Sequence, residues 1–261
     1  MNANQYYGNS NYGGVNDNPY AQGEWKPANL VSDDLESGQG QKFDYEASMR
    51  IGFIRKVYGI LSVQLIITTL MCFISMSSTS FATFQKTHPG LMWLSLIFNI
   101  AIILAICCIP GLSRTVPTNY ILLMTFTFFE GYMVSAICGM TDPKLVIMAA
   151  SMTCAITIAL TIYAFTTKTD FTLCGSLLFI MLCCLFLLSI FSLFFKFLHV
   201  VVSALGIFLY ACYLVYDTQL LLGNKENSID IEDYIYGALM LYLDIINMFI
   251  YILDLLRTFS K

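Results

Sequence analysis

Apolar residues fill seven stretches of about 20 residues, the length that a helix needs to cross the hydrocarbon of a bilayer. Within each stretch the apolar positions are continuous, whereas the strands of a membrane barrel alternate apolar and polar positions. The pattern therefore predicts an all-α integral membrane protein, a seven-helix transmembrane bundle. The stretches lie near residues 57–76, 91–109, 119–138, 145–165, 172–191, 198–222 and 233–256.

Short polar segments separate these stretches. Pro110-Gly111, Pro117 and Asp142-Pro143 are typical helix breakers, and residues 166–170 form a polar turn of the sequence Thr-Thr-Lys-Thr-Asp. The most charged connection is residues 224–233, directly before the last apolar stretch.

The last stretch allows two topologies. Arg50, Arg55 and Lys56 adjoin the first helix and favour a cytoplasmic N-terminus. Seven spans place six basic residues on the cytoplasmic side and five on the other, a weak bias. A last segment that enters the bilayer and returns changes the count to eight against three. The length of the last apolar stretch favours a full span. Seven spans are therefore the prediction, and a re-entrant last segment is the alternative.

Residues 1–49 are rich in Gly, Asn, Tyr, Gln and Pro and show no periodicity. Such a segment buries too little apolar surface to offset the entropy of ordering, so we predict a disordered tail at 1–49 and a transmembrane domain at 50–261. The tyrosine-containing run at residues 6–20 has two interpretations, a docking segment for membrane-protein partners or a plain solvated tail.

Composition narrows the function classes. The chain is 57% hydrophobic and 11% charged, so the lipid bilayer is its main partner and solvent. The net charge of -4 comes from the first 50 residues, which hold seven acids and three bases. No basic patch suggests nucleic acid. All nine cysteines fall in apolar stretches, which indicates packing residues rather than a disulfide framework.

Three acids lie inside apolar stretches: Glu130, Asp217 and Asp244. A carboxylate at the centre of a spanning helix costs on the order of 2.5–3.5 kcal/mol on insertion scales. Such residues face the interior of a bundle and often mark an ion or proton pathway. The alternative is a hydrogen bond that only holds helices together.

Asp217 and Asp244 occupy consecutive helices that a short loop joins. Asp217 lies about 9 Å from its helix end and Asp244 about 16 Å from its helix start, at 1.5 Å per residue. The two depths match if residues 233–236 lie in the headgroup layer. Two carboxyl groups in a dry site cannot both ionise cheaply, so they titrate as a unit. We interpret the pair as a latch that a shared proton closes and that repulsion, or a cation, opens.

The pair offers at most four oxygens, fewer than the six to eight that a calcium cage uses. Asp217 and Asp244 are therefore predicted as a transient calcium site or gate, with protons and calcium as the interacting ions. Asn247, one turn beyond Asp244, is a candidate support, and Arg114 is the candidate cationic partner of the pair. Asp254 and Arg257 are interpreted as a surface pair.

Signatures of enzymes are absent from the sequence. The two histidines, His88 and His199, form no metal-binding pair, and no glycine-rich nucleotide loop occurs. Tyr216-Asp217 matches one half of an intramembrane aspartyl protease, but Tyr242-Leu243-Asp244 lacks the glycines of the other half. We predict no enzymatic activity and no cofactor, with an aspartyl protease as the remote alternative.

Five motifs resemble the Lifeguard branch of the Bax-inhibitor membrane family, in that family's order and spacing from about residue 50 to the C-terminus. They are Phe-Ile-Arg-Lys-Val-Tyr at 53–58, Glu-Gly at 130–131, Phe-Thr-Thr-Lys-Thr-Asp-Phe-Thr at 165–172, Tyr-Asp-Thr-Gln-Leu at 216–220 and Leu-Tyr-Leu-Asp-Ile-Ile-Asn at 241–247.

The resemblance implies a seven-helix bundle with the last helix central. It implies a pH-sensitive calcium leak across an internal membrane, which we expect to be the endoplasmic reticulum or Golgi rather than the plasma membrane, and a brake on cell death. The family's paired aspartates correspond to Asp217 and Asp244, and its latch arginine corresponds loosely to Arg114, beyond a Pro-Gly break. The alternative function is a non-conducting regulator that binds partner proteins through its tail.

Overall fold

The computed structural model describes the backbone of residues 28–223 and 225–260, and the side chains of residues 45–260 apart from those of residues 110, 196 and 224. Within that part of the chain all regular structure is helical, and proline, glycine and polar residues mark the ends. The helices are α1 (Ala28–Ser77), α2 (Thr79–Thr87), α3 (Pro89–Cys108), α4 (Pro110–Arg114), α5 (Thr118–Gly139), α6 (Pro143–Thr166), a single 3-10 turn (Thr172–Cys174), α7 (Gly175–Ser192), α8 (Lys196–Leu222) and α9 (Tyr234–Phe259).

Proline stands in the first turn of α3, α4 and α6, where a missing backbone N–H costs no helical hydrogen bond. Asp142 caps α6, accepting a hydrogen bond from the backbone N of Lys144 at 2.9 Å. Gly223 ends α8 with φ +65°, the left-handed conformation that glycine adopts without strain. The predicted breakers therefore separate the helices as expected, although Pro110-Gly111 opens the short helix α4 instead of an irregular loop.

Seven helices in the described part of the chain are long and apolar enough to cross a membrane, which confirms the predicted fold class. They are Tyr45–Ser77, Pro89–Cys108, Thr118–Gly139, Pro143–Thr166, Thr172–Ser192, Phe197–Leu222 and Tyr234–Phe259. The re-entrant alternative for the last segment is wrong, because α9 is one continuous helix of 26 residues and about 39 Å long.

Helix α9 lies at the centre of the bundle, as the resemblance implied. Half of its apolar stretch is buried, against 11% of the stretch that contains α7. It packs against α8, α6, α5 and α4. Its side chains Leu241, Tyr242, Met248 and Leu253 are completely enclosed, whereas α7 lies at the edge of the bundle against α8. Residues on α9 are therefore shielded from lipid on most sides.

The N-terminal segment begins its helix before the predicted boundary. Residues 1–27, including the run proposed for docking, lie outside the described residues. From residue 28 the backbone is helical, although residues 28–49 belong to the segment predicted to be disordered. Once a helix is nucleated, each further residue adds one hydrogen bond, so a helix can continue into polar sequence. The apolar pattern therefore does not determine where α1 starts. The compact unit that contains the spans is Ala47–Lys261.

Two glycines let α8 and α9 approach closely. A Cβ at Gly206 would lie 2.7 Å from the ring of Tyr251, and a Cβ at Gly237 would lie 2.6 Å from Leu221 Cδ2. Both distances are shorter than a van der Waals contact, so the close packing of α8 on α9 requires a residue without a side chain at both positions.

We expect Gly206→Ala to destabilise the protein by about 1–3 kcal/mol, because an overpacked interface must separate or shift. Gly59 is the matched control, since it is also helical and no atom lies within 4 Å of a Cβ placed there. Gly59→Ala is expected to be neutral or to stabilise by about 0.5–1 kcal/mol. Thermal unfolding in detergent measures both variants, and equal melting temperatures would contradict this account of the interface.

Candidate functional site

Asp217 on α8 and Asp244 on α9 meet inside the bundle. Each residue is 4% exposed, and their carboxyl groups form a side-chain hydrogen bond. Asp217 and Asp244 lie at the same depth because the first turn of α9 lies beyond the end of α8, as the sequence analysis required. Leu221, in the last turn of α8, lies against Gly237, so residues 234–236 extend beyond the end of α8.

Two carboxylates are acceptors only, so a hydrogen bond between these groups needs a proton on one of them. The contact between Asp217 and Asp244 is the geometry that a shared proton would bridge. The Oδ2 atom of Asp244 is buried and has no hydrogen-bond partner among the described residues. An unpaired carboxyl oxygen in a dry interface favours the neutral form, and it leaves one acceptor free for a proton or cation.

Polar contacts fix α9 against its neighbours around the pair. Thr68 Oγ1 on α1 lies 2.7 Å from the Tyr242 hydroxyl, and the Tyr242 ring meets Phe126 edge-on at 6.0 Å between centroids. At the beginning of α9, Asn119 Nδ2 donates to the Tyr234 hydroxyl at 2.9 Å. These buried contacts hold Asp244 at a fixed depth and rotation.

Glu130 is buried, 8% exposed, but it lies apart from the aspartate pair. It accepts a hydrogen bond from Asn99 Nδ2 at 2.7 Å, which joins α5 to α3. Asn99 Oδ1 is buried without a partner in the described part of the chain. Glu130 is thus a second polar position inside the bundle, and its only recorded hydrogen bond holds two helices together.

Arg114 lies away from the pair that it was predicted to contact. Its guanidinium binds Asp233 through two hydrogen bonds of 2.8 and 2.7 Å, and it reaches Asp230 and Glu232 at 3.4 Å each. These acids belong to the exposed loop before α9. The Pro-Gly break that begins α4 carries Arg114 to this loop, so it anchors the start of α9 instead of the carboxyl pair.

Asn247 also differs from its predicted role. Its Nδ2 atom donates to the backbone oxygen of Leu243 at 2.8 Å, a bond within α9. It therefore satisfies its own helix and makes no recorded bond to Asp244.

Among the described residues, no three His, Cys, Asp or Glu side chains form a group that could hold a metal ion. Asp217 and Asp244 alone supply too few ligands for a tight calcium site.

Two of the quoted motifs contact each other, which the sequence analysis did not predict. Gln219, two residues after Asp217, donates from Nε2 to Thr169 O at 3.0 Å and accepts at Oε1 from the backbone N of Phe171 at 2.8 Å. Its amide therefore pins the end of α8 to the turn after α6. Gln219 is fully buried. The signal available in the sequence was a polar amide side chain near the end of an otherwise apolar helix.

Asp170 completes this contact, which we call the loop clasp, formed by residues 167–172 and 225–227. Its Oδ1 atom accepts from the Thr172 hydroxyl at 2.6 Å and from the Thr172 backbone N at 2.9 Å. Its Oδ2 atom accepts from the backbone N of Glu226 at 3.2 Å. The Thr172 hydroxyl bond, with the backbone bonds and the charge of Lys225, lowers the pKa of Asp170 below its ordinary value.

Sequence reasoning also missed the partners of Asp254. The interpretation of Asp254 and Arg257 as a pair is not what the structure shows: Asp254 Oδ2 lies 3.1 Å from His199 Nδ1 and accepts from Ser203 Oγ at 2.5 Å. Both partners belong to α8, so this contact also joins α8 to α9.

Fold and site together define the class: a multi-pass membrane protein whose last two helices share a buried carboxyl pair. The family model described as "Inhibitor of apoptosis-promoting Bax1" matches residues 50–261, and the chain belongs to this Bax-inhibitor family. The resemblance read from the five motifs is thereby confirmed.

The relatives found by sequence carry the name that the motifs indicated. Protein lifeguard 3 of Homo sapiens is 37% identical over 87% of this chain and 73% of its own length. Protein lifeguard 3 of Mus musculus is 36% identical over 80% of this chain and 70% of its own length. Protein lifeguard 4 of Mus musculus is 33% identical over 90% of this chain and 96% of its own length.

We expect Thr172→Val to raise the pKa of Asp170 towards its ordinary value, because the variant loses the shortest hydrogen bond to the carboxylate. A group with a lowered pKa stabilises the fold above its unfolded pKa, and that contribution is lost as pH falls through the folded pKa. The loop clasp should therefore open at a higher pH in Thr172→Val than in the wild type. Amide hydrogen exchange of residues 167–172 and 225–227, corrected for its intrinsic pH dependence, measures the opening.

Thr169→Val is the control for this experiment, since Thr169 is exposed and contributes its backbone oxygen to Gln219. It should leave the opening pH unchanged. The same shift in both variants would mean that the Thr172 hydroxyl is not what lowers the pKa of Asp170.

Proposed function

We propose that the protein is a pH-sensitive calcium leak channel of an internal membrane, gated by the Asp217–Asp244 pair, with a role in calcium homeostasis and in restraining cell death. The observation that carries this proposal is a hydrogen-bonded carboxyl pair, almost completely buried, between the central helix α9 and its neighbour α8. The description of the family, "Inhibitor of apoptosis-promoting Bax1", supports the part of the proposal that concerns cell death.

The shared proton holds the gate closed. With one carboxyl protonated, the pair joins α8 to α9 by a hydrogen bond. When the proton leaves, two like charges face each other, and repulsion at about 4 Å is on the order of 4 kcal/mol at an effective dielectric constant of about 20. Since 1.4 kcal/mol changes an equilibrium tenfold, this repulsion is large enough to move the helices from a closed to an open arrangement.

A calcium ion provides the second way to separate the carboxyl groups. Two ionised aspartates attract a divalent cation, but four oxygens do not replace its hydration shell of six to eight ligands. The ion keeps part of its water and leaves readily. Weak binding of this kind suits a leak, because conduction requires an ion to leave a site as well as to enter it.

Three other predicted residues take supporting roles in this proposal. Glu130 provides a third buried carboxyl, bonded to Asn99 of α3, and is a candidate for the lining of the path. Arg114 anchors the loop before α9 through Asp233 and so limits how far the start of α9 can move. Asn247 contributes to the helix that carries Asp244.

We propose that the protein lies in the membrane of the endoplasmic reticulum or Golgi, as the family resemblance implies. We also propose that its N-terminus is in the cytoplasm, because Arg50, Arg55 and Lys56 adjoin the first span. The tail at residues 1–49 remains the proposed contact for partner membrane proteins.

Calcium efflux from proteoliposomes tests the gate. For the wild type we expect the flux to rise as pH increases from about 5 to 8, since the shared proton is lost over this range. In Asp217→Asn and Asp244→Asn the pair can never hold two charges, and the amide still donates to the remaining carboxyl. The pH-dependent part of the flux should therefore fall by about tenfold or more in each variant.

Glu226→Gln removes an exposed loop carboxyl and is the matched control, expected to keep the wild-type pH profile. Absence of flux from folded wild-type protein would overturn the channel and favour a regulator that acts through partners. Cleavage of a helical substrate that both aspartate variants abolish would favour the aspartyl protease.

A further inference from the structure

The interface between α8 and α9 has a second titratable contact at its other end. His199 Nδ1 lies 3.1 Å from Asp254 Oδ2. Ser203 Oγ donates to the same carboxyl oxygen at 2.5 Å and also to the backbone oxygen of His199 at 2.9 Å. The three side chains form a small cluster that ties the first turns of α8 to the last turns of α9.

This cluster lies near the membrane face opposite to the loop clasp. Asp254 is ten residues beyond Asp244, about 15 Å further along α9, and only five residues before the helix ends at Phe259. The side chains of His199 and Asp254 are 46% and 29% exposed, whereas Asp217 and Asp244 are enclosed. Protons from the compartment on that side can therefore reach the histidine directly.

We propose that His199 and Asp254 are a second proton-dependent contact of the α8–α9 interface, which makes the gate respond to pH on the face opposite to the loop clasp. The proposal rests on the gate described above, because it assigns a further positioning pair to the same two helices. It names the proton as the ligand and the imidazole of His199 as the group that takes it.

The chemistry follows from the charge of the imidazole. Histidine is the side chain that ordinarily changes charge between about pH 5 and 8. Protonated, His199 forms an ion pair with the Asp254 carboxylate, in which the donor and the acceptor both carry charge. Neutral, its Nδ1–H can still donate to the carboxylate, but the attraction between opposite charges is lost. The contact is thus strongest at low pH, the condition that also keeps the aspartate pair closed.

The other groups around Asp254 do not compete over this range. Ser203 is neutral, and the hydroxyl of Tyr251, one turn earlier on α9, bonds to Ser189 of α7. Arg257, three residues after Asp254, carries a charge that does not change with pH. Among these groups the imidazole of His199 is the one that can add a positive charge opposite Asp254 by taking a proton, so the change in attraction follows that protonation.

The first arm of the test is independent of ion flux. Thermal unfolding in detergent at about pH 5.5 and 8.5 compares the wild type with His199→Gln, which retains a hydrogen-bond donor but no charge. We expect the wild type to melt about 1–3 °C above His199→Gln at the lower pH and level with it at the higher pH. His88→Gln is the control, because His88 bonds to Phe84 O and Thr87 of its own helix.

The second arm measures calcium efflux in an Asp217→Asn background, where the aspartate pair no longer responds to pH. We expect a residual pH dependence that His199→Gln removes and His88→Gln keeps. In the same background His199→Arg, with a permanent charge opposite Asp254, should hold the flux near its low-pH level at every pH.

The outcomes separate this inference from the proposed function. A pH-dependent melting difference without any flux would support the contact and overturn the channel. Flux with equal melting curves for the wild type and His199→Gln at both pH values would overturn the contact and leave the channel standing. An identical loss in His88→Gln would also overturn it, because the effect would then not depend on Asp254.

Discussion

Two carboxyl groups held together inside a dry helix interface are the constraint on which the rest of the structure depends. A lone buried carboxylate in a bilayer is costly, and the shared proton that we propose between Asp217 and Asp244 lowers that cost. The arrangement requires α8 and α9 to lie unusually close, which Gly206 and Gly237 allow. It also requires α9 to be surrounded by protein, which explains why the last helix occupies the centre of the bundle.

The quoted motifs gain a physical meaning from their contacts. Residues 165–172 and Gln219 form one unit, because the Gln219 amide binds both Thr169 and Phe171 and so fixes the end of α8 directly after Asp217. Gly131 lets α5 approach α1 closely, since a Cβ there would lie 2.8 Å from Met71 Sδ. Its neighbour Glu130 bonds to Asn99 of α3.

The two ends of α8 and α9 use different chemistry for the same purpose. In the gate that we propose, a proton joins two acids near the loop clasp, and a second proton charges His199 opposite Asp254 near the other face. In that proposal, proton loss weakens the interface by repulsion at the first contact and by loss of attraction at the second. Two contacts that respond in the same direction make a steeper transition than either alone, because both must be lost before the helices part.

The sequence by itself determined the seven spans, the helix breaks at Pro110, Pro117 and Pro143, and the three buried acids, because the bilayer imposes length and polarity rules on each helix separately. It also placed Asp217 and Asp244 on adjacent helices, since a short loop joins them. Only the tertiary structure decided which loop Arg114 binds, that Asn247 bonds to its own helix, and that His199 and Ser203, not Arg257, are the recorded partners of Asp254. These contacts depend on how each helix is rotated and shifted along its axis relative to its neighbours. Polar side chains at helix ends adjust that rotation and register, and an apolar pattern does not encode them.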